Sequence, residues 1–251
     1  MNANPRGAAM KRPSHSVVTL AALVLFAIGC RSPKPEPTPT PRTSSAEASG
    51  SAAPLQQSSN RRRSRPAANA QPGDFDFYLL NLSWSPEFCH SHPANAQCAA
   101  RPGFVVHGLW PQNSDGTYPQ NCPGMSRPPN PAAYLDIMPT VALILHEWQT
   151  HGTCSGLNPD GYFFAIRTAF RSVAIPSTFA TTQIVPDSIT PSKLLAQFSR
   201  ANPSFPPQSF VLSCGNNYLT AVEVCMDKHL NPEACQNVRS CRANVIRIAP
   251  R

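Results

Sequence analysis

Hydrophobic and polar positions settle into readable periods only after about residue 73. Residues 75–84, Phe75-Asp76-Phe77-Tyr78-Leu79-Leu80-Asn81-Leu82-Ser83-Trp84, are aromatic and partly alternating, which predicts a strand closed by Ser85-Pro86. Residues 103–111 form a shorter apolar run, predicted as a buried strand with His107 near its end and a turn at Pro111. Residues 112–138 are rich in Pro, Asn and Gly and read as a loop carrying Cys122. Pro139-Thr140 then opens an apolar run at 141–145, a helix start that continues to Gly152. Asp160 is the expected cap of a second helix over 161–173, with Tyr162, Phe163, Ile166, Ala169 and Phe170 as its apolar stripe. Thr190-Pro191 has the form of a cap followed by proline at the first helical position, with Leu194, Leu195 and Phe198 facing inward. Strands follow at 210–213, 218–226 and 243–248. Strands and helices are segregated rather than alternating, so the expected class is α+β, a central antiparallel sheet packed with helices.

Upstream, the apolar run is residues 17–28, preceded by Lys11 and Arg12. It is too short to span a bilayer comfortably and has the layout of a secretory signal. Ala27-Ile28-Gly29-Cys30 resembles the lipobox of bacterial lipoproteins, which implies lipidation of Cys30, membrane anchoring through it, and Cys30 as the mature N-terminus. Ala27 stands where that motif more often has Leu, and ordinary cleavage nearby would leave one spare thiol. The stretch before Lys11 is long for the charged part of a signal, so Met10 is an alternative start. Residues 31–72 are rich in Pro, Ser, Ala and Thr, with too few apolar side chains to offset the entropy of ordering them, and read as a disordered tether. The expected organisation is a signal at 1–30, a linker at 31–72 and one domain at 73–251.

Charge changes this picture less than the overall +8 suggests. Residues 1–70 hold ten Lys/Arg against two Asp/Glu, and residues 71–251 hold eleven of each. The surplus lies outside the domain, so a basic composition gives no argument that the domain binds polyanions. The run Arg61-Arg62-Arg63-Ser64-Arg65 reads as solvated charge rather than as an RNA or lipid contact. Nine cysteines change it more, because eight of them lie between Cys89 and Cys241. An even set in a chain with an export signal predicts a disulfide framework in an oxidising compartment, whether periplasm, cell envelope or the outside of the cell.

The candidate chemistry centres on His146-Glu147-Trp148-Gln149-Thr150-His151-Gly152-Thr153-Cys154. At about 100° per residue, His146, Glu147 and His151 share one helix surface. A zinc site of the HExxH kind needs histidines four apart, whereas His146 and His151 are five apart and about 140° around the helix. A Cys154 nucleophile conflicts with an even, bridged set of cysteines. Taken alone, His107 reads as an ordinary core or capping histidine. Two imidazoles and a carboxylate suffice, without metal or cofactor, to cleave a phosphodiester whose neighbouring hydroxyl is the nucleophile, and RNA carries that hydroxyl at the 2′ position. Histidine, with an ordinary pKa of about 6.5, can hold either protonation state in mildly acidic conditions.

Phe104-Val105-Val106-His107-Gly108-Leu109-Trp110-Pro111 and residues 146–154 together resemble the two active-site segments of the ribonuclease T2 family, secreted or vacuolar endoribonucleases that act through a 2′,3′-cyclic phosphate. The resemblance covers about residues 74–251 and extends to the strand ending at Trp84 and to the cysteine pattern. It implies that His107 and His151 are the acid–base pair, with His151 as base and His107 as acid. It further implies that His146 contacts phosphate, that Glu147 helps stabilise the transition state, and that Trp110 stacks on a base of single-stranded RNA. The family pattern implies the pairs Cys89–Cys98, Cys122–Cys154, Cys214–Cys241 and Cys225–Cys235, and a monomer is expected. One departure stands out: the family usually has lysine where this chain has Thr150, and no substituting arginine is identifiable from sequence. Loss of one such stabilising group typically costs about 10²–10³ in turnover. A catalytically weak RNA-binding or envelope protein of the same fold is the competing reading.

Overall fold

The computed structural model describes residues 65–251 apart from 101–102, 125–129 and 181–184. The signal, the lipidation site at Cys30 and the tether as far as residue 64 lie outside the described residues. Arg65, the first described residue, is already paired. Strand β1 (Arg65–Pro66) lies parallel to a second short strand, β4 (Thr117–Tyr118), and Ala67 N–H donates to the Tyr118 carbonyl at 2.8 Å.

The main sheet is built on β2 (Phe77–Trp84), which pairs antiparallel with β3 (Phe104–Gln112) on one side and β7 (Tyr218–Met226) on the other. β6 (Phe210–Gly215) pairs antiparallel with β7. β5 (Ser188–Ile189) and β8 (Ile246–Arg247) complete six strands, with β8 meeting β7 in a parallel contact at Tyr218 and Arg247. The sheet is thus antiparallel except at β8, and the strand expected over 243–248 shrinks to two residues. Expected strand 75–84 begins at Phe77, and Ser85-Pro86 starts a helix, α1 (Ser85–Ser91), rather than a simple turn. Proline is tolerated there because a first-turn N–H has no helical partner to lose.

Alternation along β2 separates two faces. Tyr78, Leu80, Leu82 and Trp84 enter the main core, whereas Phe77 and Leu79 join a small second cluster with Cys225 on the opposite face. β7 divides in the same way, with Val222, Val224 and Met226 in the core and Glu223 and Cys225 on the other side. That second face is the one that carries the site.

Helix α2 (Val141–Thr150) is capped by Thr140, whose side chain accepts from the Leu143 N–H; Pro139 only precedes the cap. α3 (Pro159–Ser172) starts two residues earlier than expected. Its cap is Asn158, whose side chain accepts from the Gly161 N–H at 2.7 Å, while Asp160 sits in the first turn and takes the Tyr134 hydroxyl hydrogen bond. Asn and Asp cap about equally well, so the two signals two residues apart were not separable by propensity. After α4 (Ser177–Ala180), α5 (Pro191–Ala201) is capped by Thr190 as expected. Four disulfides join Cys89–Cys98, Cys122–Cys154, Cys214–Cys241 and Cys225–Cys235, the pairs implied by the resemblance. Cys122–Cys154 fastens the loop before α2 to the turn that follows it.

Candidate active site

A bulge in β3 sets up the site. Leu82 pairs with Val106 and Asn81 with Gly108, so His107 is the extra residue on the β3 side. Without it, residues three apart would point to opposite faces of a strand. With it, His107 and Trp110 both reach the face opposite the core, while Val106 and Leu109 are fully buried in the core.

Opposite β3, the last turn of α2 presents Glu147, whose side chain is 1% exposed. It is the fixed point of the site. The Trp110 indole N–H donates to Glu147 Oε2 at 2.7 Å, and His107 Nε2 lies 3.2 Å from Glu147 Oε1. His146 Nε2 is 4.0 Å from the same oxygen, on a ring 64% exposed. A buried carboxylate is stable only when hydrogen-bonded or paired, and these contacts from two elements meet that need. Gly108 leaves the space: a Cβ there would stand 2.1 Å from Glu147 Oε2 and 2.6 Å from Trp110 Nε1.

His151 caps α2, its backbone N–H bonded to the Glu147 carbonyl at 3.0 Å. Its ring lies 5.2 Å from that of Trp110, and the His107 ring is 5.8 Å from Trp110 on an edge-on approach. Burial lowers the His151 pKa to about 4, with Glu147 raising it and His146 and His107 lowering it. Nδ1 of His151 is buried without a hydrogen-bond partner among the described residues. A protonated ring would strand an N–H there, which acts in the same direction as burial. His151 is therefore held neutral at neutral pH.

Two cavities flank Trp110. One, of about 440 Å³, is lined by Thr150 and His151 together with Gln112, Asn237 and Arg239. The other, of about 640 Å³, is lined by His107, His146, Asn81, Glu87 and Phe88. Trp110, Ser213 and Glu223 line both. The structure thus brings His107, Trp110, His146, Glu147 and His151 into one place. It also supplies what sequence reasoning missed. Arg239 lines the same cavity as Thr150, and it is the one Lys or Arg among the described residues lining these two cavities. Glu223 was legible as a charge inside an otherwise apolar strand, but nothing in the sequence showed which face it took. Among the described residues no group of three or more His, Cys, Asp or Glu is arranged to hold a metal ion.

This arrangement can hold a neutral imidazole and a second imidazole beside a carboxylate, either side of one indole. Comparison with known proteins agrees on the fold. The sequence profile of the Ribonuclease T2 family matches residues 75–235. A ribonuclease of Aeromonas hydrophila is 45% identical over 102 residues, which span 38% of this chain and 45% of that protein. Ribonuclease DdI of Dictyostelium discoideum is 30% identical over 194 residues, 70% of this chain and 86% of that protein. The solved structure of an RNase-related protein from Calystegia sepium superposes with a TM-score of 0.58 at 24% identity, covering 70% of this chain and 97% of that one. RNase NT, solved in complex with 5′-AMP, superposes with a TM-score of 0.57 at 22% identity, covering 70% and 99%. On the span and order of these matches, the chain belongs to the ribonuclease T2 family.

Proposed function

We propose that this protein is an endoribonuclease that cleaves single-stranded RNA without a metal ion, by attack of the 2′-hydroxyl on the adjacent phosphorus and release of the 5′-oxygen. The observation that carries the reading is the pair of imidazoles, His107 and His151, set around Trp110, with His107 3.2 Å from the buried carboxylate of Glu147. His151, neutral through burial, takes the 2′ proton. His107 gives a proton to the departing oxygen, and Glu147 at 3.2 Å supplies the counter-charge when that ring is protonated. His146, exposed beside the same carboxylate, contacts the phosphate. The bond that forms is O2′–P, the bond that breaks is P–O5′, and the product is a 2′,3′-cyclic phosphate.

Trp110 presents an indole to both cavities, a surface on which bases stack whatever their identity. Export is part of the same proposal: a signal at 1–30, a lipidated Cys30, a tether and a catalytic domain at 73–251 would display the enzyme in the periplasm or cell envelope. Its relatives include a tomato protein named extracellular ribonuclease LE. Among the described residues no helix is long and apolar enough to cross a membrane.

The test is purified protein with single-stranded RNA in EDTA. Absence of cleavage across mildly acidic and neutral conditions contradicts the proposal. Thr150 supports a second reading, a weakly active protein that holds RNA, because position 150, next to His151, carries a hydroxyl and, among the described residues, the cation of that cavity comes only from Arg239. Binding without turnover, unchanged by His151→Ala, would establish that reading instead.

A further inference from the structure

Glu223 is a buried carboxyl that the proposed chemistry does not use. It projects from β7 into the floor of the cleft, 7% exposed, and lines the cavities on both sides of Trp110. One of its oxygens is committed: Oε1 accepts from Asn81 Nδ2 at 2.9 Å and from the Ser213 hydroxyl at 3.0 Å. Oε2 takes no hydrogen bond from a described residue. Asn81 Oδ1 beside it is likewise a buried acceptor without a donor among the described residues. A carboxyl held rigidly by two neighbours, with its second oxygen unengaged among the described residues, is a built receptor for an N–H donor.

The character of the surrounding cavity narrows the ligand. On the His107 side the walls carry Glu87 as well as Glu223, the aromatic rings of Phe88 and Trp110, and no Lys or Arg among the described lining residues. Away from His107 and His146, where the cleaved phosphate would sit, such walls disfavour a second anion and suit a flat, neutral, donor-bearing ring. Burial raises the Glu223 pKa above the usual carboxylate range, against the bonds from Ser213 and Asn81, so one more donor would stabilise its ionised form. Of the four RNA bases, guanine alone offers two adjacent N–H donors on its pairing edge, at N1 and N2. Uracil and cytosine place acceptors beside their donors, and adenine places N1 beside its amino group.

We infer that Glu223, oriented by Asn81 and Ser213, is a specificity-determining residue that selects guanine in the cavity on the His107 side. The inference rests on the ribonuclease reading of the site. With His107 as the acid, that cavity holds the nucleoside of the leaving 5′-oxygen, so the preferred substrates are those with guanosine 3′ to the cleaved phosphate.

The experiment is steady-state cleavage of dinucleoside phosphates by the full chain in EDTA, varying one base at a time on each side of the phosphate. Guanosine at one position should raise kcat/KM about tenfold over the other three bases, the size expected of a hydrogen bond to a charged group. In Glu223→Gln the new amide presents a donor where the base also has donors, and the preference should collapse towards one, chiefly through KM. A guanosine preference on the 5′ side would keep the guanine site and reverse the acid and base roles. Equal kcat/KM for all four bases in the native protein overturns the inference while leaving the ribonuclease reading standing. So does a Glu223→Gln variant that lowers all substrates by the same factor. Failure to cleave any substrate refutes the activity itself. Should Glu223→Gln not fold, competition by guanosine and uridine monophosphates against the native protein decides: equal inhibition counts against the guanine site.

Discussion

Gly108→Ala tests whether Glu147 is the point on which the site depends. The substitution leaves φ in a region open to any residue, so its effect is steric rather than conformational. The new Cβ would lie 2.1 Å from Glu147 Oε2, and such contacts essentially never fall under 3.0 Å, so the carboxylate has to retreat by about 0.9 Å. It cannot do so freely, because it is 1% exposed and bonded to Trp110 at 2.7 Å. A retreat of that size stretches the Trp110 bond past hydrogen-bonding distance and carries Oε1 off His107. Misplacing a catalytic array by about 1 Å can cost about 10²-fold in rate, and overpacking a buried site costs about 1–3 kcal/mol of stability. The assay is paired: kcat/KM on single-stranded RNA in EDTA, and urea unfolding of the same sample. The expected outcome is a folded protein with turnover about a hundredfold lower. Native turnover in a folded Gly108→Ala protein would refute the account of Glu147 as the organising group.

Three further expectations follow from other parts of the structure. Thr150→Lys should raise kcat, by at most about 10²–10³ if the cation is wholly missing and by less if Arg239 already serves the same cavity; an unchanged kcat shows that no charge is lacking there. His151 has a folded pKa of about 4 against an ordinary 6.5, so the unfolded chain binds its proton first. Its contribution to stability is complete above about pH 6.5 and is lost as pH falls towards 4, by about 3 kcal/mol, which urea unfolding at stepped pH should resolve and His151→Gln should flatten. Removing the Cys122–Cys154 bridge, which closes a separation of 32 residues, with Cys122→Ser and Cys154→Ser together should cost about 4 kcal/mol on the loop-entropy account. A midpoint of urea unfolding unmoved by that pair of changes would remove the bridge from the list of stabilising features.

Periodicity made the long elements legible and left the short ones hidden. β2, β3 and β7 are long enough for two faces to alternate, and α2 has both a cap and an apolar stripe. β4, β5 and β8 have two residues each, too few for any period, and exist because neighbouring strands offer them partners. Asn158 holds the capping role expected of Asp160, because two good caps two residues apart are separated only by the backbone they adopt. His107, His146, Glu147 and His151 could be found in sequence because each lies in a local pattern. What joins them could not. The bulge that turns both His107 and Trp110 to one face is a property of pairing with β2, and the Trp110–Glu147 bond spans 37 residues of chain. The Glu223 network spans 142 residues to Asn81 and has no local signature beyond a charge in an apolar strand.

The central claim is that His107 and His151 act as acid and base on a 2′-hydroxyl attack. Its most direct test is the product formed from a short single-stranded RNA in EDTA, followed by phosphorus NMR, for the native protein and for His107→Ala. The account predicts a 2′,3′-cyclic phosphate as the first product and near-complete loss of its formation in His107→Ala. A linear phosphate appearing first, or a His107→Ala protein that forms the cyclic product at the native rate, would contradict it.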